Sequence, residues 1–166
     1  MVRPKGVDHL PVKKDAVDFD VRVRYVDTDQ MAVVHHGNYI LWFEVGRTEF
    51  CRSRGFTYRD LEDMGYRLMI TDLRCLYRKA VRYDEVVTVR TRVKDLKRRM
   101  VTFGYEILCK ETGTPVAEGE TRHICLDRSD KSRTIPEHFR KCLERNVDGM
   151  VWERPEQQGI ENSGRR

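Results

Sequence analysis

Two carboxylates and two histidines crowd one short stretch: Asp27 and Asp29 in Tyr25-Val-Asp-Thr-Asp29, then His35 and His36 immediately before Gly37-Asn38-Tyr39. The residues before them alternate as a strand should, and those after recur at helical spacing, so the acids occupy a turn that leads into a helix start. A carboxylate beside that electropositive end suits acyl chemistry. It can activate water or attack a carbonyl itself, while backbone N–H groups hold the oxyanion that develops. Asp29 is the candidate base or nucleophile. The N–H groups of His36, Gly37 and Asn38 are the candidate oxyanion donors, and His36 could also orient Asp29 or the attacking water. Asp27 reads as a turn residue bonded to the local backbone, which from spacing alone is also the commoner role for Asp29. Asp29 with His35 and His36 offers a metal site on paper, but neighbouring side chains diverge and no fourth ligand is apparent. Catalysis without metal or cofactor is the expectation.

Phe19, Val21, Val23 and Tyr25 alternate with charged residues, which predicts a first strand from near Asp18. Asn38 is the expected helix cap, and Tyr39, Trp42, Phe43, Gly46 and Phe50 form an apolar stripe on a helix ending near Gly55. A short helix over Tyr58 to Met64 follows. The period then changes to two over Leu68 to Arg82, Glu85 to Leu96, Met100 to Lys110 and Pro115 to Asp127, four strands separated by turns suited to antiparallel pairing. Pro136 and Glu137 open a terminal helix through Arg145. The fold class is therefore α+β, a five-stranded antiparallel sheet around one long central helix. Residues 18–146 form the domain, with a flexible segment at 1–17 and a flexible tail at 147–166 that Trp152 could pin. Open strand edges predict pairing between subunits.

The chain has 166 residues, 39% hydrophobic and 36% charged, with a net charge of +5. Bases are interleaved with acids, so a solvated mixed surface is expected and nucleic acid is a weak alternative. Five scattered cysteines lack Cys-x-x-Cys spacing and read as free buried thiols. No apolar run reaches the length of a membrane span and the N-terminus has no apolar signal core, so the cytoplasm is the expected compartment. Glu44 and Arg47 stand at the spacing of an intrahelical ion pair, and His9, His123 and His138 read as surface or strand residues.

Tyr25-x-Asp27-Thr28-Asp29, Val33-x-x-His36-x-x-Tyr39, Phe43-Glu44-x-x-Arg47-Thr48-Glu49, Val116-Ala-Glu-Gly-Glu-Thr121 and Ile135-Pro-Glu-x-Phe139 together resemble the hot-dog-fold acyl-CoA thioesterases of the 4-hydroxybenzoyl-CoA thioesterase type. The subgroup most resembled includes the Tol-Pal-associated acyl-CoA thioesterase. The resemblance runs from about Asp18 to Arg145. It implies hydrolysis of acyl-CoA to free acid and coenzyme A, a homodimer or homotetramer with sites at the subunit interface, a catalytic Asp29 and a site histidine at His36. The position before that histidine is usually aromatic in the family, and here it is His35. The basic turn Lys97-Arg98-Arg99 corresponds to the family's ligand-facing turn and is the candidate grip on the coenzyme A phosphates. Tyr39 could bound the acyl chain. An acyl-carrier-protein thioesterase and a non-catalytic acyl-CoA-binding protein are the alternatives.

Overall fold

Period-two patterning and glycine punctuation divide most of the chain into strands, and a computed structural model describes residues 16–144. The expected tail at 147–166, Trp152, His9 and nearly all of the segment at 1–17 lie outside the described residues. The elements are β1 (Val17–Arg22), α1 (His36–Ser53), α2 (Tyr58–Asp63), β2 (Tyr66–Tyr77), β3 (Val86–Leu96), β4 (Met100–Cys109), β5 (Pro115–Asp127) and α3 (Glu137–Glu144). A 3-10 turn, Tyr25–Asp27, follows β1. The strands form one antiparallel sheet in the order β1-β3-β4-β5-β2. The strand expected to reach Tyr25 stops at Arg22, because the chain turns there to place Asp27.

The predicted apolar stripe of α1 is buried against the inner face of the sheet: Tyr39, Trp42, Phe43, Gly46 and Phe50. Phe43 stacks on Tyr105 at 4.3 Å and Phe50 meets Phe103 edge-on at 5.9 Å. Helix and sheet approach so closely that a Cβ on Gly46 would lie 2.5 Å from Thr91 Oγ1, and one on Gly119 would lie 2.6 Å from the Phe43 ring. Glycine at both positions is therefore a packing requirement. The helix closes as Gly55 takes φ 75° and Phe56 N–H bonds to Cys51 O. Thr57 and Asp60 cap α2 reciprocally, the Thr57 side chain accepting from Asp60 N–H at 3.2 Å and the Asp60 carboxylate from Thr57 N–H at 2.9 Å.

Beneath α1 the core carries a polar chain: Tyr105 Oη and Thr121 Oγ1 stand 2.6 Å apart, and Thr121 Oγ1 is 2.8 Å from His123 Nε2. His123 is a strand residue, as expected, but it is only 1% exposed. Cys51 and Cys125 are buried, Cys75, Cys109 and Cys142 are half-buried, and all five are free. No described helix is long and apolar enough to cross a membrane.

Burial, reinforced by the Arg47 charge, lowers the His123 pKa to about 4. A solvated imidazole titrates near ~6.5, so the fold binds this proton more weakly than the unfolded chain does. Stability is therefore full above about pH 6.5 and is lost as the pH falls towards 4, by about 3 kcal/mol over the whole span. Urea midpoints should fall more steeply across that window for the natural protein than for His123→Gln; parallel curves would contradict this origin of acid sensitivity.

Candidate active site

The turn between β1 and α1 is organised by Asp27. Its side chain is only 3% exposed, and its carboxylate accepts the Arg24 backbone N–H at 2.8 Å and the Arg24 guanidinium at 2.8 to 3.2 Å. Burial pushes the Asp27 carboxyl pKa up, but those hydrogen bonds and the Arg24 charge outweigh it and hold the group below its ordinary value. The Asp27 carbonyl takes His35 N–H at 2.8 Å and Asn38 Nδ2 at 2.7 Å, which ties the turn to the start of α1. Asp27 is thus the turn residue expected, and it fastens both ends.

Between Asp27 and His35 the chain forms a small hairpin. Thr28 bridges Val34, Asp29 N–H donates to Val33 O at 2.9 Å, and Ala32 turns the tip with φ 58°. Asp29 is half-buried and lies two residues along this ladder from the Asp27–His35 pair, beyond Thr28 and Val34. One of its oxygens, Oδ1, accepts Met31 N–H at 2.8 Å. The local turn contact expected of Asp29 is therefore present.

The cap of α1 departs from expectation. His35, not Asn38, is the N-cap: its Nδ1 accepts Gly37 N–H at 3.1 Å. The Asn38 side chain is committed to Asp27, and its N–H already bonds to His35 O at 2.9 Å. Of the three expected oxyanion donors, Gly37 and Asn38 are engaged within the subunit, while His36 N–H has no acceptor among the described residues. His36 is the first residue of the helix and exposed, its ring tilted 32° against that of His35 with centroids 4.1 Å apart.

Tyr77, which sequence reasoning passed over, donates its hydroxyl to His36 O at 3.0 Å and meets the Tyr39 ring edge-on at 5.1 Å. Nothing local in the sequence marks a contact that spans 41 residues. Tyr39 itself is buried between Tyr77 and Trp42. Glu44 and Arg47 pair at 3.7 Å as expected, and Arg47 also lies over the Tyr58 ring at 6.0 Å.

The basic turn is not brought to Asp29 within one subunit. Lys97, Arg98 and Arg99 cap the hairpin at the far end of the 11-residue β3, whereas the Asp29 hairpin contacts Val81 and Arg82 ahead of its near end. At ~3.3 Å per residue, β3 runs about 35 Å along the chain between these two ends. Arg98 is partly committed, donating to Thr134 Oγ1 at 3.1 Å, and Lys97 pairs with Asp95 at 3.6 Å. Arg99 is exposed.

Residues 23–143 match the family described as the thioesterase-like superfamily. The chain is 36% identical over 124 residues to YneP of Bacillus subtilis, named as a candidate acyl-CoA thioesterase, a match covering 75% of this chain and 87% of that protein. It is 34% identical over 91 residues to the acyl-CoA thioesterase YbgC of Haemophilus influenzae, covering 54% of this chain and 67% of that one. The crystal structure of a DHNA-CoA thioesterase from Staphylococcus aureus superposes with a TM-score of 0.71 at 34% identity, covering 76% and 85% of the two chains.

Asp27 and Asp29 should separate in a stability measurement. Asp27→Ala leaves the Arg24 N–H and guanidinium without their shared acceptor while the Asp27 carbonyl still holds His35 and Asn38, so urea unfolding should show a loss of about 2 kcal/mol. Asp29→Asn retains an acceptor for Met31 N–H and should cost under about 1 kcal/mol. Equal losses at the two positions would contradict this division of roles.

Proposed function

Because the chain belongs to the thioesterase-like superfamily and has its hot-dog fold, we propose that it hydrolyses acyl-CoA thioesters to a free carboxylic acid and coenzyme A, with Asp29 as the attacking group. The observation that supports this reading is the hairpin that holds a half-buried Asp29 two residues along from the Asp27–His35 contact at the start of α1. Either the carboxylate draws a proton from water as that water adds to the thioester carbonyl, or it adds itself and water then cleaves the mixed anhydride. In both routes the carbonyl oxygen gains charge, the C–S bond breaks as the tetrahedral species collapses, and the coenzyme A thiolate takes up a proton. The free His36 N–H and, once its cap yields, the Gly37 N–H are the donors for that oxygen. His36 lies at the same helix tip and can orient the water. A closer affinity with the 4-hydroxybenzoyl-CoA type and its Tol-Pal-associated subgroup rests on the motif pattern alone.

The same reading includes a dimer. β2 is the long open edge of the sheet, and it leaves Met69 50%, Ile70 41%, Leu76 36% and Tyr77 45% exposed. The opposite edge, β1, is half as long and carries Asp18, Asp20 and Arg22. Antiparallel pairing of two β2 strands would cover the apolar edge and set the Tyr66 end of one against the Tyr77 end of the other. That operation carries the second subunit's Lys97–Arg99 turn towards the end of the sheet that holds Asp29. The coenzyme A grip and the attacking carboxylate then come from different subunits, which accounts for their separation within one. A dimer of such dimers is compatible with this arrangement, and a cytoplasmic location accords with five free thiols.

Asp29→Asn should lower kcat on acyl-CoA by about a hundredfold or more with thermal unfolding little changed. Arg99→Ala should raise KM at near-constant kcat, because the phosphates lie far from the bond that breaks. Mixing the two inactive or weakened proteins and allowing subunits to exchange should restore low-KM turnover, since a mixed dimer holds one intact site. No recovery in exchanged mixtures would place both groups in one subunit and overturn the shared site. Uncleaved acyl-CoA retained by the natural protein would favour a binding role, and faster cleavage of matched acyl-carrier-protein thioesters would favour that substrate class.

A further inference from the structure

One peptide unit at the start of α1 is held by side chains at both of its polar ends. The carbonyl of His36 accepts the Tyr77 hydroxyl at 3.0 Å, and the N–H of Gly37, in the same peptide group, donates to His35 Nδ1 at 3.1 Å. Proton donation to a peptide oxygen draws electron density from its nitrogen and strengthens the attached N–H as a donor, as in any polarised hydrogen-bond chain. Occupation of that N–H by an imidazole has the opposite consequence, because an incoming oxyanion must displace the existing acceptor. The absence of a side chain at Gly37 suits this cap: a Cβ there would sit 3.3 Å from His35 Nδ1, close enough that the ring would have to shift slightly.

We propose that Tyr77 and His35 are opposed positioning residues for the His36–Gly37 peptide, Tyr77 strengthening its N–H towards an oxyanion and His35 withholding it. This inference rests on the proposed thioester hydrolysis. In the resting protein the neutral His35 ring caps the helix. When the substrate carbonyl arrives, its oxygen replaces Nδ1 at the Gly37 N–H, and the freed ring can turn towards its neighbour His36. A protonated His35 has no lone pair at Nδ1 and cannot cap, so acidification opens the donor without any movement of the backbone.

The charged and titratable groups around His35 are His36, its ring tilted against that of His35, and Asp27, whose carbonyl takes the His35 N–H and whose carboxylate is neutralised by Arg24. Asp29 lies across the hairpin, and Tyr77 approaches from β2. His36 and Asp29 are common to the natural protein and to any His35 variant. The Gly37 amide, which bonds directly to His35 Nδ1, is therefore the readout that separates His35 from both.

The test compares kcat and KM on one acyl-CoA for the natural protein, His35→Phe, His35→Asn and Tyr77→Phe between pH 5.5 and 8.5. Phenylalanine cannot accept a hydrogen bond, so His35→Phe should raise kcat about three- to tenfold above pH 7 with KM within about twofold. That advantage should shrink as acid protonates the imidazole of the natural protein and removes its lone pair at Nδ1. His35→Asn, whose side-chain oxygen can still cap, should stay below His35→Phe throughout. Tyr77→Phe should lower kcat about three- to tenfold. Opposite signs at the two positions are the diagnostic result, because two merely structural contacts would both lower the rate when removed. In the natural protein the Gly37 amide resonance should also shift along the His35 titration curve, and this readout needs no turnover. His35→Phe equal to or slower than the natural protein at every pH, or a Gly37 amide indifferent to His35 protonation, overturns the proposal. A natural protein inert on every acyl thioester overturns the hydrolase reading and with it the kinetic role, while the amide titration still decides whether His35 caps Gly37.

Discussion

The attachment of Asp27 to both sides of its turn is the constraint on which the candidate site depends. Its carboxylate holds Arg24 where β1 gives way to the 3-10 turn, and its carbonyl holds His35 and Asn38 at the start of α1. These contacts close the hairpin that carries Asp29, so the position of the proposed attacking acid is set by its buried neighbour and not by its own side chain. The chain places two acids two residues apart, one nearly buried and ion-paired, the other half-buried with a single local side-chain hydrogen bond.

The rest of the fold supplies a rigid platform for that attachment. α1 cannot slide across the sheet, because Gly46 and Gly119 let helix and strands approach to distances that any side chain would obstruct, and Phe43 and Phe50 are locked against Tyr105 and Phe103. The helix tip is fastened again from β2, where Tyr77 reaches His36 O. Since β2 is also the apolar open edge, this single side chain connects the helix start to the strand that a second subunit would cover. Formation of the proposed dimer would therefore be felt at the oxyanion end of the site.

Much of this was legible in the sequence where the signal is local and periodic. The alternation of β3, β4 and β5 gave boundaries within a residue, and the apolar stripe located α1 although its cap lies three residues before the one expected, because helical and strand periods differ and the turns between them carry glycine or charge. Asp27 was legible as a turn residue because short acids in turns bond the local backbone, whereas the role proposed for Asp29 came from the family resemblance. What could not be read was set by tertiary geometry. His35 displaces Asn38 as the cap because Asn38 is drawn back to the Asp27 carbonyl, a contact across 11 residues. Tyr77 meets His36 only because β2 returns along the sheet edge. The basic turn at Lys97–Arg99 has the composition of a phosphate grip, yet its distance from Asp29 follows from the length and direction of β3, which the residue types themselves do not reveal.

The central claim is that a thioester carbonyl lies between the Asp29 carboxylate and the N–H groups at the tip of α1. The most direct measurement is a crystal structure of the protein with a non-hydrolysable acyl-CoA analogue in which a methylene group replaces the thioester sulfur. The account predicts the analogue's carbonyl oxygen within hydrogen-bond distance of the His36 or Gly37 N–H, with an Asp29 oxygen, or a water bound to it, facing the carbonyl carbon. A fully bound analogue with its carbonyl away from both the helix tip and Asp29 would contradict it.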